Sequence, residues 1–159
     1  MKVSAQEEYG LRCLLRIGSS KLPDGLTIPD ISKIEGLTPA NVAKLLRILR
    51  LGGFIESARG RSGGYKLAKP ADQIIVGEVL TVLGGRIYEP TFCDAHTGAI
   101  DVCSHIIDCS TRSLWRSVQS AVDGVLGKVT LKDMLGNERV VNKLVMALSN
   151  NVVESGIVS

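Results

Sequence analysis

The sequence predicts a mainly α-helical chain carrying one small β-hairpin. Three observations point there: apolar residues recur at helical spacing over most of the 159 residues, helix start and stop signals separate the runs, and a single pair of short strand-like segments flanks a Gly-rich turn. A hydrophobic share of 45 % excludes a disordered chain. No apolar run approaches the roughly 20 residues a membrane span needs, and the opening MKVSAQEEYG lacks the apolar stretch of a signal peptide. The expectation is a cytoplasmic protein with no membrane contact. In a reducing compartment its 4 Cys point to metal binding before a disulfide framework.

The first helix is expected over about residues 5 to 18, because Ser4 and Glu7 stand at capping-box spacing and Gly18-Ser19-Ser20 stops the run. Tyr9, Leu11, Leu14, Leu15 and Ile17 form its inward side, with Cys13 a small core residue among them. Pro23-Asp24-Gly25 is a turn, and a short helix near 28–35 is closed by Gly36. Thr38-Pro39 then has the form of an N-cap followed by Pro at the first helical position, opening a helix to about Leu51. Phe54 to Ala58 reads as a strand, residues 59 to 64 as a Gly-rich turn and Tyr65 to Leu67 as the returning strand.

Three helices followed by a hairpin make the winged helix-turn-helix plan. A further helix through Leu83 completes a unit over residues 1–84. Residues 85–110 show little periodicity and hold three Cys and both His, so they read as a loop with a task. Residues 111–135 hold a long helix, to about Gly127, and a short one begun by Thr130. Residues 136–159 form a tail that is helical to about Ser149.

Charge divides the chain. Residues 1–70 carry 12 Lys and Arg against 6 Asp and Glu, whereas residues 71–159 carry 7 against 10. A polyanionic partner is therefore met by the front half. On the helix from Thr38, the residues Val42, Leu45, Leu46 and Leu49 make a buried stripe. Asn41, Lys44 and Arg47 lie on a different face, small near its start and basic near its end. Such a helix fits a major groove, where each base pair shows its own donor and acceptor pattern. Thr38 offers a hydroxyl and an amide to a phosphate at the helix start. Arg59 and Arg61, at the tip of the turn, reach for a minor groove or the adjacent phosphates. Each feature alone is also what a solvated surface shows; their ordered combination points to double-stranded DNA.

Cys93, Cys103 and Cys109 fall within one loop, and thiolates suit iron–sulfur clusters, zinc or copper(I). The absence of a CxxC pair disfavours a zinc ribbon. The alternative is a reactive thiol with a resolving partner. Three thiolates leave a fourth ligand open among His105, His96, Glu7 and Glu8. The apolar stripe of the long helix, with Leu114, Trp115, Val118 and Val122, serves either as ordinary core or as the seam of a two-fold dimer. Nothing in the sequence favours an enzyme or a small-molecule substrate. There is no phosphate-binding Gly loop after a strand, no GxSxG elbow and no HExxH pair.

At this level of detail the chain resembles the winged-helix iron–sulfur cluster transcription regulators typified by IscR and NsrR. The resemblance rests on MKVSAQEEYGLRCLL, DISKIEGLTPANVAKLLRILR, GGFIESARGRSGGYKLAKP, IIVGEVLTVLGG, CSHIIDCSTRSLW and TLKDML, in the family's order over about residues 1–135. The wing pattern RGxxGGYxL is its most specific part. It implies a homodimer on a palindromic operator and an iron–sulfur cluster, two-iron or four-iron, held by Cys93, Cys103 and Cys109. Cys103 and Cys109 keep the family's spacing, whereas Cys93 stands four residues farther upstream than usual. The biogenesis regulators place a His ligand three residues after the last Cys; here Arg112 stands there. The nitric-oxide sensors take an acidic residue from the first helix of the other subunit, a position Glu8 occupies. The resemblance thus implies Cys93, Cys103, Cys109 and Glu8 as ligands, with His105 as the other candidate. Members without a cluster sense through thiols, which implies disulfide chemistry at the same three Cys as the alternative.

Overall fold

The computed structural model describes residues 2–58, 63–97, 103, 105 and 107–156, the last five of these by backbone alone. Helix α1 (Ala5–Ser19) starts at the expected box: the Ser4 amide donates to Glu7 Oε2 at 2.8 Å, and the Glu7 amide donates to Ser4 Oγ. The short α2 (Ile28–Glu35) opens on a second box, Thr27 with Asp30, and ends on Gly36 in the left-handed region. Helix α3 (Pro39–Leu51) is capped by Thr38, whose Oγ1 accepts from the Asn41 amide at 3.3 Å. Two guanidinium groups of α1 fix α2 in place: Arg12 and Arg16 donate to opposite oxygens of the buried Glu35 carboxylate at 2.9 and 2.8 Å.

The wing is an antiparallel pair of β1 (Ile55–Ser57) and β2 (Tyr65–Leu67), with Ile55 opposite Leu67 and Ser57 opposite Tyr65. Leu26 adds an antiparallel bridge on the far edge of β2, exchanging backbone hydrogen bonds of 3.0 and 2.8 Å with Tyr65. This pairing explains Gly64: a Cβ there would stand 2.0 Å from the Asp24 carbonyl oxygen. The segment before α2 therefore closes on the wing only through a glycine.

A 3₁₀ turn (Ala71–Gln73) leads to α4 (Val76–Gly84), which lies so close to α1 that a Cβ on Gly10 would meet Leu83 Cδ2 at 2.4 Å. Cys13, Leu14, Ile31, Val42, Leu46, Leu49, Ile74, Val79 and Leu83 form one core. The expected buried stripe of α3 is all there.

A four-residue helix, α5 (Phe92–Ala95), interrupts the expected loop, which the sequence pattern did not anticipate. The long α6 (Ser110–Leu126) follows, then α7 (Leu131–Met134) and α8 (Glu138–Gly156), the last extending past the expected end near Ser149. Between α6 and α7 the chain returns to the first unit. The Leu131 amide donates to the Ile74 carbonyl at 2.8 Å, the Val76 amide donates to Val129 at 2.9 Å, and Leu131 enters the core. No helix among the described residues is long and apolar enough to cross a membrane.

Candidate nucleic-acid interface and cysteine loop

The α3 helix has two unlike sides. Val42, Leu45, Leu46 and Leu49 are buried, which holds the helix axis against α1 and α2. Lys44, Arg47 and Arg50 are exposed, Asn41 is half-buried, and Thr38 is exposed at the cap. Among the described residues none of these three cations joins an ion pair, whereas Arg12, Arg16, Lys66, Lys69, Arg86 and Lys132 do. A cation without a fixed carboxylate keeps its charge for an outside anion. Arg59 and Arg61 lie outside the described residues; of the two wing strands, β1 packs against α3 and β2 against α1.

The second region begins where α4 ends. Cys93, Cys103 and Cys109 are all free thiols and half-buried, whereas Cys13 is enclosed in the core. Burial raises the Cys13 thiol to about 11, so it stays protonated and inert. Cys93 sits on α5, and its Sγ lies 3.1 Å from the Tyr88 hydroxyl. That hydrogen bond, with burial, holds the Tyr88 phenol above its ordinary range. Cys109 caps α6, its Sγ accepting from the Arg112 amide at 3.3 Å. Around Cys93 a short aromatic stack forms, with Tyr88 and Phe92 at 5.4 Å and Phe92 and His96 at 4.1 Å between ring centroids.

The donor set suits a thiolate-bound group in kind: three unpaired thiols in one loop, partly sheltered from solvent. Among the described residues, however, no three Cys, His, Asp or Glu side chains gather around a common point. Cys93 is engaged by Tyr88 and Cys109 by the start of α6. Glu8 is exposed on α1, Glu7 is committed to its cap, and His105 is exposed in a turn. Sequence reasoning missed Tyr88, Phe92 and Gln119, because an isolated Tyr or Gln in an aperiodic segment carries no spacing signal.

Comparison with known proteins decides the family. A model described as "Rrf2: Iron-dependent Transcriptional regulator" matches residues 3–137. The chain belongs to the Rrf2 family. Protein rrf2 of Nitratidesulfovibrio vulgaris is 33 % identical over 135 residues, covering 85 % of this chain and 87 % of that protein. Among solved structures, T. potens IscR superposes with a TM-score of 0.66 at 29 % identity, over 85 % of this chain and 86 % of that one. CymR, the global cysteine regulator of B. subtilis, superposes at 0.65 and 29 % identity, over 85 % and 96 %. The Rrf2-family assignment makes this chain a transcription regulator with a DNA-binding winged helix, and its relatives are named as regulators rather than enzymes. The Rrf2 match ends just before α8.

Proposed function

We propose that the chain acts as a homodimer on a palindromic operator and that its cysteine loop holds an iron–sulfur cluster whose state sets DNA affinity. The observation that carries the DNA part is the unpaired cationic face of α3 opposite a fully buried one. In this reading Asn41, Lys44 and Arg47 enter the major groove and Thr38 takes a phosphate. Arg59 and Arg61 extend the grip from the wing. Two-fold symmetry of the protein matches two operator half-sites.

The residues that would hold the cluster are Cys93, Cys103, Cys109 and Glu8 of the partner subunit. The iron dependence in the family description and the three free thiols support this reading. When bound, the cluster supplies a one-electron redox change. Glu8 lies one residue past the capping Glu7 on α1, and α1 packs on α3, so a tie at Glu8 bears on the recognition helix. The second reading is a cluster-free thiol switch using the same three Cys. The separate engagement of Cys93 and Cys109 favours it.

One measurement separates the two. Protein purified without oxygen is analysed for visible absorption, iron and sulfide. Thiolate-to-iron bands with stoichiometric iron support the cluster, and Ala at Cys93, Cys103 or Cys109 then removes them. Colourless, iron-free protein that forms a disulfide between these Cys on oxidation overturns the cluster in favour of the switch. Given a cluster, Glu8→Ala should leave it less stable and uncouple it from DNA binding, while Glu7→Ala should do neither. If instead His105→Ala loses the cluster and Glu8→Ala does not, the cross-subunit tie is wrong.

A further inference from the structure

The loop does not start freely after α4; its first residues are fastened to α6. Arg86 forms an ion pair with Asp123 of α6, and its amide donates to Glu89 Oε1 at 3.1 Å. The Tyr88 amide donates to Gln119 Oε1 at 3.0 Å, and Gln119 Nε2 donates to Asp123 Oδ1 at 2.9 Å. Gln119 is the buried polar residue in a helix that otherwise shows its polar groups to solvent. A buried amide at such a position needs partners, because leaving it unpaired carries a full desolvation cost. What it holds is the backbone of Tyr88, itself only 6 % exposed, and the far end of that side chain meets Cys93 Sγ.

We propose that Tyr88 is a positioning residue that locks Cys93 to α6, its hydroxyl holding the sulfur while its amide is held by Gln119. This rests on the reading that Cys93 is a sensing residue, whichever chemistry occurs there. As a thiol, Cys93 either donates to Tyr88 or accepts from it. As a thiolate, including one bound to a metal, it has no proton, and the Tyr88 O–H is the donor. The contact thus persists when the sulfur becomes a ligand, and it orients that sulfur from outside the ligand set. Any group attached to Cys93 Sγ has to reshape this one hydrogen bond. The change then passes through a rigid phenol ring and one backbone amide to the middle of α6. One further tie, Arg86–Asp123, keeps the loop start and the helix moving together, and Gln119 braces that Asp123 within α6. Cys93 stands five residues after Tyr88, and α5 folds the sulfur back onto the ring.

The test uses the full-length, reduced protein with a chelator and no DNA. Alkylation rates by iodoacetamide are followed at each Cys by mass spectrometry. Tyr88→Phe keeps the ring and its stack on Phe92 but removes the hydroxyl. At neutral pH it should slow alkylation of Cys93 about two-fold, because the reacting thiolate loses the donor that stabilises it and its greater nucleophilicity offsets only part of that loss, with Cys103 and Cys109 unchanged. Gln119→Met keeps the length and helix propensity of the side chain and never touches the sulfur. It should slow Cys93 by a smaller factor, because the Tyr88 hydroxyl is held less firmly on the sulfur. An unchanged or faster Cys93 rate in Tyr88→Phe overturns the proposal, as does an equal change at all three Cys in either variant, which marks general loosening. An effect of Tyr88→Phe without any effect of Gln119→Met overturns the link to α6. None of these rates depends on operator binding or cluster content, so they stand or fall apart from the proposed function.

Discussion

The front unit and the α6–α8 pair solve burial in opposite ways. In the front unit α1, α2, α3, α4 and the wing close on one core, and Leu14, Ile31, Leu46 and Leu49 have no exposed surface. On α6, by contrast, Gln119 is the buried residue, while Leu114 and Trp115 are 58 % and 37 % exposed. On α8, residues 138–151 include none that is buried, and Val140 and Met146 are exposed. A helix whose apolar stripe stays open in its own chain is built for a surface that the chain does not supply. The front unit is therefore a reader whose core is closed by its own elements together with Leu131 of α7, and α6 is the surface on which a second copy is expected.

That contrast can be broken most forcefully in the core. Leu46→Ala should cost about 2–5 kcal/mol in chemical denaturation, because the close-packed surroundings cannot fill the space. Leu114→Ala, at an exposed site, should stay within about 0.5 kcal/mol for the isolated chain. Equal costs at the two positions would contradict the division.

Next in size is the seam. Val118→Asp places a charge on the half-buried stripe of α6. Sedimentation should show monomer where the unaltered protein sediments as a dimer at micromolar concentration. Operator binding should weaken at least about ten-fold, or about 1.4 kcal/mol, as one half-site is lost. A monomeric unaltered protein would remove the argument for the seam.

On the reader itself, Lys44→Ala and Arg61→Ala should each weaken operator binding and flatten the log–log salt dependence by about 0.9. The melting temperature should not change in Lys44→Ala, since Lys44 joins no ion pair among the described residues. Binding by both variants that matches the unaltered protein would argue against this DNA face.

The smallest effect concerns Cys13. Its thiol is held at about 11 against an ordinary 9.0, chiefly by burial. The folded state thus binds this proton more tightly than the unfolded one. Its contribution is complete below about pH 9 and is lost as pH rises toward 11. Stability measured across that window should fall more for the unaltered protein than for Cys13→Ala, and parallel curves would show that Cys13 does not set the slope.

Much of this division was legible before any coordinates. The caps at Ser4, Thr38 and Thr130 and the stop at Gly36 act within a few residues, so local chemistry placed α1, α2 and α3 almost to the residue and marked the start of α7. The buried side of α3 followed from 3.6-residue spacing, and Cys93, Cys103 and Cys109 stood out as candidates through their crowding in an aperiodic stretch. The four-residue α5 was hidden because it has no side-chain cap bond and is too short for a period to show. The exposed state of Leu114 and Trp115 was left undecided for a different reason: an apolar stripe says that a helix needs a partner without saying which one.

What the sequence determined by itself is therefore the order of the main helices and the wing, and the buried face of α3. Each depends on residues within one or two helical turns of one another. Tertiary structure alone decided that Leu131 seals the core beneath Ile74, that Gly10 and Gly64 are needed for close approach, and that Tyr88 stands between Cys93 and Gln119. These pairings join residues separated by long stretches of chain, and no local propensity encodes them. They arise only when the path of the backbone brings a free hydroxyl, a buried amide or a missing Cβ to the one place where it fits.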